Sequence, residues 1–137
     1  MRKHSIEKGA LGKVYQDGEI ITRQGDVGKV MYVIQQGKVE VLMEKDGHET
    51  LLRVAEQGEF LGEMAIFDHV VRSATLKARG EVKVLTIDKK NFLKRIHVDP
   101  SLAFKIVQTM SQRVRELGDE VARLKRYAWT KKSSAGE

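Results

Sequence analysis

The sequence of 137 residues contains no cysteine, a single proline, 6% aromatic residues and no long apolar run. Without cysteine the chain has no disulfide bond, thiol nucleophile or thiolate metal site. No segment approaches the ~20 apolar residues of a transmembrane helix. The N-terminal residues MRKHSIEKGALGK lack the apolar centre of a secretory signal peptide. These absences predict a cytoplasmic protein that is not embedded in a membrane.

Groups that could support catalysis are also sparse. The four histidines show no paired spacing such as His-x-His; they are His4, His48, His69 and His97. Neither a metal site nor a metal cofactor is therefore predicted. No nucleophile has an identifiable base partner. The sequence predicts that the protein is not an enzyme.

The net charge is +6, and much of the basic excess lies in KKNFLKR, RLKRY and TKKSSAGE. A basic net charge is compatible with binding to nucleic acid. Aromatic residues also alternate with basic ones in RLKRYAWTKK, a pattern found in proteins that bind single-stranded nucleic acid. A solvated helix face explains the same charges, so nucleic acid is not the predicted partner.

Residues 13–87 alternate short β-like segments with glycine turns. KVMYVIQQ meets Gly37, KVEVLMEK and HETLLRVA flank Asp46-Gly47, and SATLKA and VKVLTI flank Arg79-Gly80. Asp-Gly is a strong hairpin signal because it supplies the positive φ of a tight turn. Short strands at ~8–12-residue intervals predict a mainly-β jelly-roll barrel.

A helical pattern follows. Asp88 is a predicted N-cap for the short helix KKNFLKRI, while Asp99 and Pro100 begin a long helix that ends near Tyr127. The predicted divisions are an N-terminal segment 1–12, a β core with the short helix 13–98, the long helix 99–129 and a disordered tail 130–137.

The long helix carries apolar residues in alternating steps of three and four, the heptad spacing of a two-stranded coiled coil. They are Val107, Met110, Val114, Leu117, Val121, Leu124 and Ala128. With Val114 at position a, Glu120 and Lys125 occupy g and the following e, an opposite-charge pair across a parallel dimer. Gly118 costs the helix about 1 kcal/mol. The pattern predicts a homodimer.

The segment FLGEMAIFDHVVRSAT, residues 60–75, combines apolar residues with one acid and one guanidinium. Gly62 permits close approach of the backbone, and EMAIF can form one helical turn with outward amides. Arg72 can offer two donors to a phosphate, whereas an ionised Glu63 accepts hydrogen bonds, as from a ribose. The alternative is a structural Glu63–Arg72 ion pair that braces the turn.

The same segment closely resembles the phosphate-binding cassette of the cyclic nucleotide-binding domain family. The resemblance extends over roughly residues 13–127, through DGEIITRQGDVGKVMYVIQQGKVEVL, VKVLTIDKKNFLKRI and DPSLAFKIVQTMSQRVREL. It implies a jelly roll followed by a short B helix and a long C helix. The residues that it implies at the ligand are Leu61, Gly62, Glu63, Met64, Ala65, Arg72, Ser73 and Ala74.

By this resemblance, Glu63 accepts from the ribose 2′-hydroxyl and Arg72 pairs with the cyclic phosphate. Many members have Phe where Leu61 stands and Pro where Val71 stands, but both replacements remain apolar. In one branch of the family, a Thr-Ser pair on the C helix recognises adenine. The matching positions in this sequence are Leu117 and Gly118, whose side chains cannot donate hydrogen bonds. The possible base or lid contacts are Ser73, Arg113, Arg123, Tyr127 and Trp129.

The expected function is a regulatory sensor for cyclic AMP, or else cyclic GMP, in which the ligand moves the B and C helices and acts on an unidentified protein partner. The sequence carries no helix-turn-helix after the C helix and is expected to be a stand-alone sensor or the sensing part of a longer chain. The alternative is a jelly-roll scaffold that binds no ligand.

Overall fold

A computed structural model of the chain describes residues 10–67 and 71–135, with side chains from 12 to 67 and from 71 to 132. The β-strands are β1 (Ala10–Tyr15), β2 (Ile20–Thr22), β3 (Val30–Lys45), β4 (His48–Ala55), β5 (Phe60–Leu61) and β6 (Thr75–Asp88). The helices are α1 (Met64–Phe67), α2 (Lys89–Val98) and α3 (Ser101–Ala135). Within the described residues, no helix is both long and apolar enough to cross a bilayer.

The six strands form one antiparallel sheet in the order β1-β6-β3-β4, with β2 also paired to β6 and β5 to β3. The hydrogen-bonded pairs of the described strands leave this sheet open, with β1 and β4 at the ends of the path. Two strands, β3 and β6, form its centre and pair from Val30↔Asp88 to Leu42↔Thr75. The predicted mainly-β fold, followed by a short and a long helix, is confirmed.

Two predicted turns lie inside continuous strands. Gly37 has φ +95° and lies in β3, where the register with β6 shifts between Gln36 and Lys38. An added Cβ at Gly37 would overlap the carbonyl oxygen of Glu81, so the position requires glycine. Gly80, with φ +73°, lies inside β6 in the same way. Both glycines permit bends or irregular pairing within a strand, and the prediction of separate strands there was wrong.

The predicted β3–β4 hairpin is confirmed. Asp46 and Gly47 have φ values of 54° and 80°, and Lys45 pairs with His48 across them. Residues of β3 and β6 alternate into the core, where the largest fully buried side chains are Met31, Ile34, Val39, Val82, Val84 and Ile87. This core fixes the start of β3, which contributes to the candidate site.

The chain divides into two compact units between Lys94 and Arg95, within α2. Both predicted helix caps are present: Asp88 Oδ1 accepts from the Asn91 amide at 2.9 Å, and Asp99 Oδ1 accepts from the Ser101 amide at 3.0 Å. The bonds from Ser101 hold the pKa of Asp99 below its usual value. The long helix continues to Ala135, so the prediction of a disordered tail is corrected for residues 130–135.

Candidate functional site

The 60–75 segment begins at the sheet and turns sharply. In β5, Phe60 and Leu61 pair with Val33 and Tyr32 of β3 and are buried. Gly62 follows with φ +73°, a left-handed conformation that disfavours any other residue. The next residues form α1, the helical turn that the sequence predicts.

The amides of α1 are partly engaged within the turn itself. The Ala65 amide donates to the Gly62 carbonyl at 3.2 Å, and the Ile66 amide donates to the Glu63 carbonyl at 3.0 Å. Ala65 and Ile66 are buried, whereas Met64 and Phe67 are more than half exposed. The turn is thus anchored by its inner residues and presents its outer ones to solvent.

Arg72 reaches back into this turn. Its side chain is buried, with 8% of the residue exposed, and its two terminal nitrogens donate to backbone carbonyls. Nη1 bonds the Gly62 oxygen at 3.2 Å, and Nη2 bonds the Val30 oxygen at 2.8 Å. The guanidinium carbon also lies 5.4 Å from the centre of the Tyr32 ring, within the range of a cation–π contact. Arg72 therefore joins the 60–75 segment to the start of β3.

The β2–β3 loop, residues 23–29, holds the backbone of Arg72. The Arg72 amide donates to Asp26 at 2.7 Å, and the Arg72 carbonyl accepts from Gly25 at 2.9 Å. Val27 and Val71 form an isolated antiparallel bridge beside them. The letters RQGDVG alone do not predict this contribution, because the contact joins residues more than 40 positions apart.

Two glycines make room for the guanidinium. A Cβ added at Gly28 would overlap Arg72 Nε, and one added at Gly62 would overlap Nη1. Gly28 does not have a positive φ, so its backbone conformation does not require glycine. Glycine is required there because a side chain would overlap the guanidinium of Arg72. Nothing in the sequence distinguishes Gly28 from an ordinary loop glycine, so its contact with Arg72 is evident only in the structure.

One donor of Arg72 remains without a hydrogen-bond partner within the described part of the chain: the buried Nε. Leaving a buried donor unsatisfied costs about 1–3 kcal/mol, and more for a charged group. Buried groups of this kind are uncommon in native structures and require an explanation. A ligand that supplies an acceptor is one such explanation.

Glu63 shares this environment, because it directly follows Gly62 and is 6% exposed. Among the described side chains, Glu63 and Arg72 are the buried charged residues. Ser73 is exposed and Ala74 is half-buried against the core cluster. Within the 60–75 segment the structure thus buries the predicted acid and guanidinium; Asp68, His69 and Val70 of this segment lie outside the described residues.

Apart from Ser73, the predicted base and lid contacts lie on α3, in the second compact unit. Arg123 forms an ion pair with Glu120, and the hydrogen bond from Arg123 lowers the pKa of Glu120. Tyr127 is 59% exposed, with the Lys131 ammonium 5.8 Å from its ring centre. Arg113 is half-buried on the same helix. A role in base recognition stays a prediction for these three residues.

No group of three or more histidine and acidic side chains is arranged to hold a metal ion within residues 10–67 and 71–135. The candidate site instead consists of an arginine, a carboxylate and backbone groups. This donor set suits an organic ligand that carries both an anionic group and hydroxyl groups.

Gly62→Ala should lower the free energy of unfolding by more than the left-handed backbone alone explains. That strain costs about 1–2 kcal/mol, and the added methyl group also displaces the guanidinium from its carbonyl partners. Gly58→Ala is the matched control, since Gly58 has φ +90° and open space around it. Urea unfolding of the two variants measures the difference. Equal losses of stability would show that the Arg72 contact at Gly62 is energetically neutral.

Comparison with known proteins identifies a match over most of the chain. The sequence model of the family described as "Cyclic nucleotide-binding domain" matches residues 12–99. A cAMP-dependent protein kinase regulatory subunit from Blastocladiella emersonii is 35% identical over 91 residues, which are 66% of this chain and 23% of that protein.

Solved structures show the same similarity. The catabolite activator protein of Thermus thermophilus has a TM-score of 0.78 and 29% identity, with 84% of this chain and 55% of that chain covered. The regulatory domain of Toxoplasma gondii PKA, co-crystallised with cAMP, has a TM-score of 0.59 and 26% identity, with 73% and 40% covered. The chain thus spans about a quarter of the kinase regulatory subunit and about half of the activator protein.

Proposed function

Since the chain belongs to the cyclic nucleotide-binding domain family, we propose that its 60–75 segment binds a cyclic nucleotide, with cyclic AMP preferred over cyclic GMP. The observation that carries this proposal is the buried guanidinium of Arg72, whose Nε has no hydrogen-bond partner in the described chain. An anion is the natural acceptor for such a donor, and a cyclic phosphate offers two oxygens to one guanidinium.

The rest of the segment suits the sugar and phosphate. Glu63, buried beside Gly62, accepts from the ribose 2′-hydroxyl, because an ionised carboxylate is an acceptor only. The exposed hydroxyl of Ser73 and the amides near Ala74 add contacts to the phosphate. The Ala65 amide contributes only if it gives up its 3.2 Å hydrogen bond to the Gly62 carbonyl. Leu61 and Met64 line the turn on either side of the acid. The preference for cyclic AMP rests on the relatives, several of which carry cAMP in their names.

The proposed response to ligand starts at α1. Phe67, the last residue of α1, contacts Phe92 of α2 edge to face, with ring centres 6.1 Å apart and an interplanar angle of 81°. Phe92 is buried, so a shift of α1 changes the packing that holds the first turns of α2. A ligand shifts the equilibrium between two arrangements of α1 and α2 only if its affinity for one arrangement is higher than for the other. The module thus acts as a regulatory sensor that alters a surface recognised by a protein partner, rather than as an enzyme.

We further propose that α3 forms a parallel homodimer. Five large seam residues are at least half exposed in the single chain: Val107, Val114, Leu117, Val121 and Leu124. Large apolar side chains that recur in register on one exposed helix face are typical of an interface. Gly118 directly follows the seam residue Leu117, and in the single chain an added Cβ there would meet no atom within 4 Å.

The same geometry is compatible with a scaffold that binds no ligand, because the two hydrogen bonds from Arg72 to backbone carbonyls brace the turn.

Thermal unfolding with added nucleotide distinguishes a nucleotide-binding module from such a scaffold. At a ligand concentration of 100 times Kd, binding adds about 2.7 kcal/mol to stability, so the melting temperature should rise by several degrees with cyclic AMP. The linear nucleotide 5′-AMP serves as the control and should have little effect. An unchanged melting temperature with cyclic AMP and cyclic GMP, on protein free of bound nucleotide, would favour the scaffold.

A further inference from the structure

The Nε of Arg72 lies beneath the β2–β3 loop rather than toward solvent. Its exposed area is essentially zero, and the position that a Cβ of Gly28 would occupy overlaps it. Nε and one terminal nitrogen form one of the two-donor edges through which a guanidinium can bind a phosphate by two parallel hydrogen bonds. Gly28 covers this edge, so a phosphate cannot reach it while the guanidinium stays where it is.

The terminal nitrogens are also engaged. Nη1 and Nη2 donate to the carbonyls of Gly62 and Val30, and the Tyr32 ring lies against the guanidinium carbon. These contacts hold the side chain inward, in a position that leaves one donor unsatisfied. A buried donor without an acceptor is energetically costly, so a ligand that supplies acceptors would favour a different arrangement of this side chain.

We propose that Gly28 is a positioning residue that provides the space for an inward, ligand-free position of Arg72, from which a cyclic phosphate must withdraw the side chain. The identity of the ligand in this inference rests on the proposed function, whereas the inward position of Arg72 beside Gly28 does not. Because the phosphate binds only the withdrawn side chain, the measured affinity is reduced by the fraction of molecules in which Arg72 is inward. Gly28 thus sets the affinity through Arg72 without contacting the ligand.

Gly28→Ala tests this directly. Gly28 lacks a positive φ, and the atoms that the new Cβ meets belong to the flexible end of Arg72, so the fold should persist. The methyl group excludes the inward position, and the Kd for cyclic AMP should fall about three- to tenfold, as measured by calorimetry. A Kd that is unchanged or higher in a folded variant would overturn the proposal.

The second measurement needs no ligand. In the nitrogen–proton correlation spectrum of the free protein, the Arg72 Nε–H should exchange slowly with water because it is buried. Arg72→Lys assigns the signal by its loss. Gly28→Ala should abolish the protection, whereas Gly118→Ala, the same change at a glycine with open surroundings, should leave it in place. Rapid exchange in the unmodified protein, or protection that survives Gly28→Ala, would contradict an inward position controlled by Gly28.

The two measurements separate the claims. If neither cyclic nucleotide binds, the proposed function fails together with the predicted change in affinity, while the Nε–H signal still decides whether Gly28 holds Arg72 inward. If nucleotide binds and Gly28→Ala loses protection but binds more weakly, the inward position is the binding position, and our inference about its role is wrong.

Discussion

Arg72→Ala should reduce the affinity for cyclic AMP from roughly 30-fold to several thousand-fold. Truncating one partner of a buried, hydrogen-bonded charge pair costs about 2–5 kcal/mol, and every 1.4 kcal/mol is a factor of ten. The cyclic phosphate would lose its two-donor partner, because the alanine side chain offers no hydrogen-bond donor. The same substitution frees the carbonyls of Gly62 and Val30, so a lower melting temperature should accompany the loss of affinity. Calorimetry and thermal unfolding on one preparation measure both effects.

Arg79→Ala is the matched control for this variant. Arg79 lies in β6, a few residues after Arg72, and forms an ion pair with Glu40 at 2.8 Å, but its side chain is 46% exposed. Its loss should leave nucleotide affinity unchanged and alter stability little, since exposed ion pairs contribute about 0–1 kcal/mol. If Arg72→Ala melts earlier but binds nucleotide with normal affinity, Arg72 is a structural brace and the proposed contact with phosphate is wrong.

Leu117→Asp should convert the proposed dimer to a monomer. Leu117 is at a d position of the seam and is 65% exposed in the single chain. In a parallel dimer the two copies of this residue face each other, so the substitution buries two carboxylates side by side. An unpaired buried charge costs far more than the apolar contact that it replaces. Sedimentation equilibrium over a range of protein concentrations measures the change in mass.

Gln108→Asp introduces the same charge on the same helix outside the seam, at an exposed position. It should leave the dimer intact. A monomeric parent protein at every concentration would contradict dimerisation through α3. Dimers that persist in Leu117→Asp would place the interface elsewhere on the chain.

Short-range features of this fold were accessible from the sequence because neighbouring residues determine them. Asp46-Gly47 specifies a turn with two positive φ angles, and Asp88 and Asp99 cap the helices that follow them. EMAIF was likewise predicted to form one helical turn, and α1 occupies Met64–Phe67 within it. Each prediction depended on residues within about four positions of one another.

The predictions that failed depended on distant contacts or on missing stop signals. Gly37 is a bend inside β3 rather than a turn, because β6 pairs with both sides of it. The end of α3 was placed too early because TKKSS is polar, yet no glycine or proline occurs between Tyr127 and Ala135 to stop the helix. Polar composition alone does not end a helix.

The site shows the same limit. Arg72 and Glu63 could be predicted from their chemistry, and the structure buries both. Val30, whose carbonyl accepts from a guanidinium 42 positions later, could not be predicted, and neither could Gly28, where an added Cβ would overlap that guanidinium. Every residue has a backbone carbonyl, so the sequence does not show which carbonyl accepts a given hydrogen bond. The absence of a Cβ matters only where another group occupies its position, and the sequence does not identify that group. Such contributions require the three-dimensional arrangement.

The most direct test of the central claim is isothermal titration calorimetry of cyclic AMP, then cyclic GMP, into protein shown to be free of bound nucleotide. We predict micromolar or tighter binding with one nucleotide per chain, and the ratio of the two dissociation constants gives the base preference. Absence of heat with either nucleotide from correctly folded protein, at several temperatures so that a zero enthalpy is not mistaken for no binding, would contradict the account. Arg72 and Glu63 would then be a buried charged brace within a scaffold.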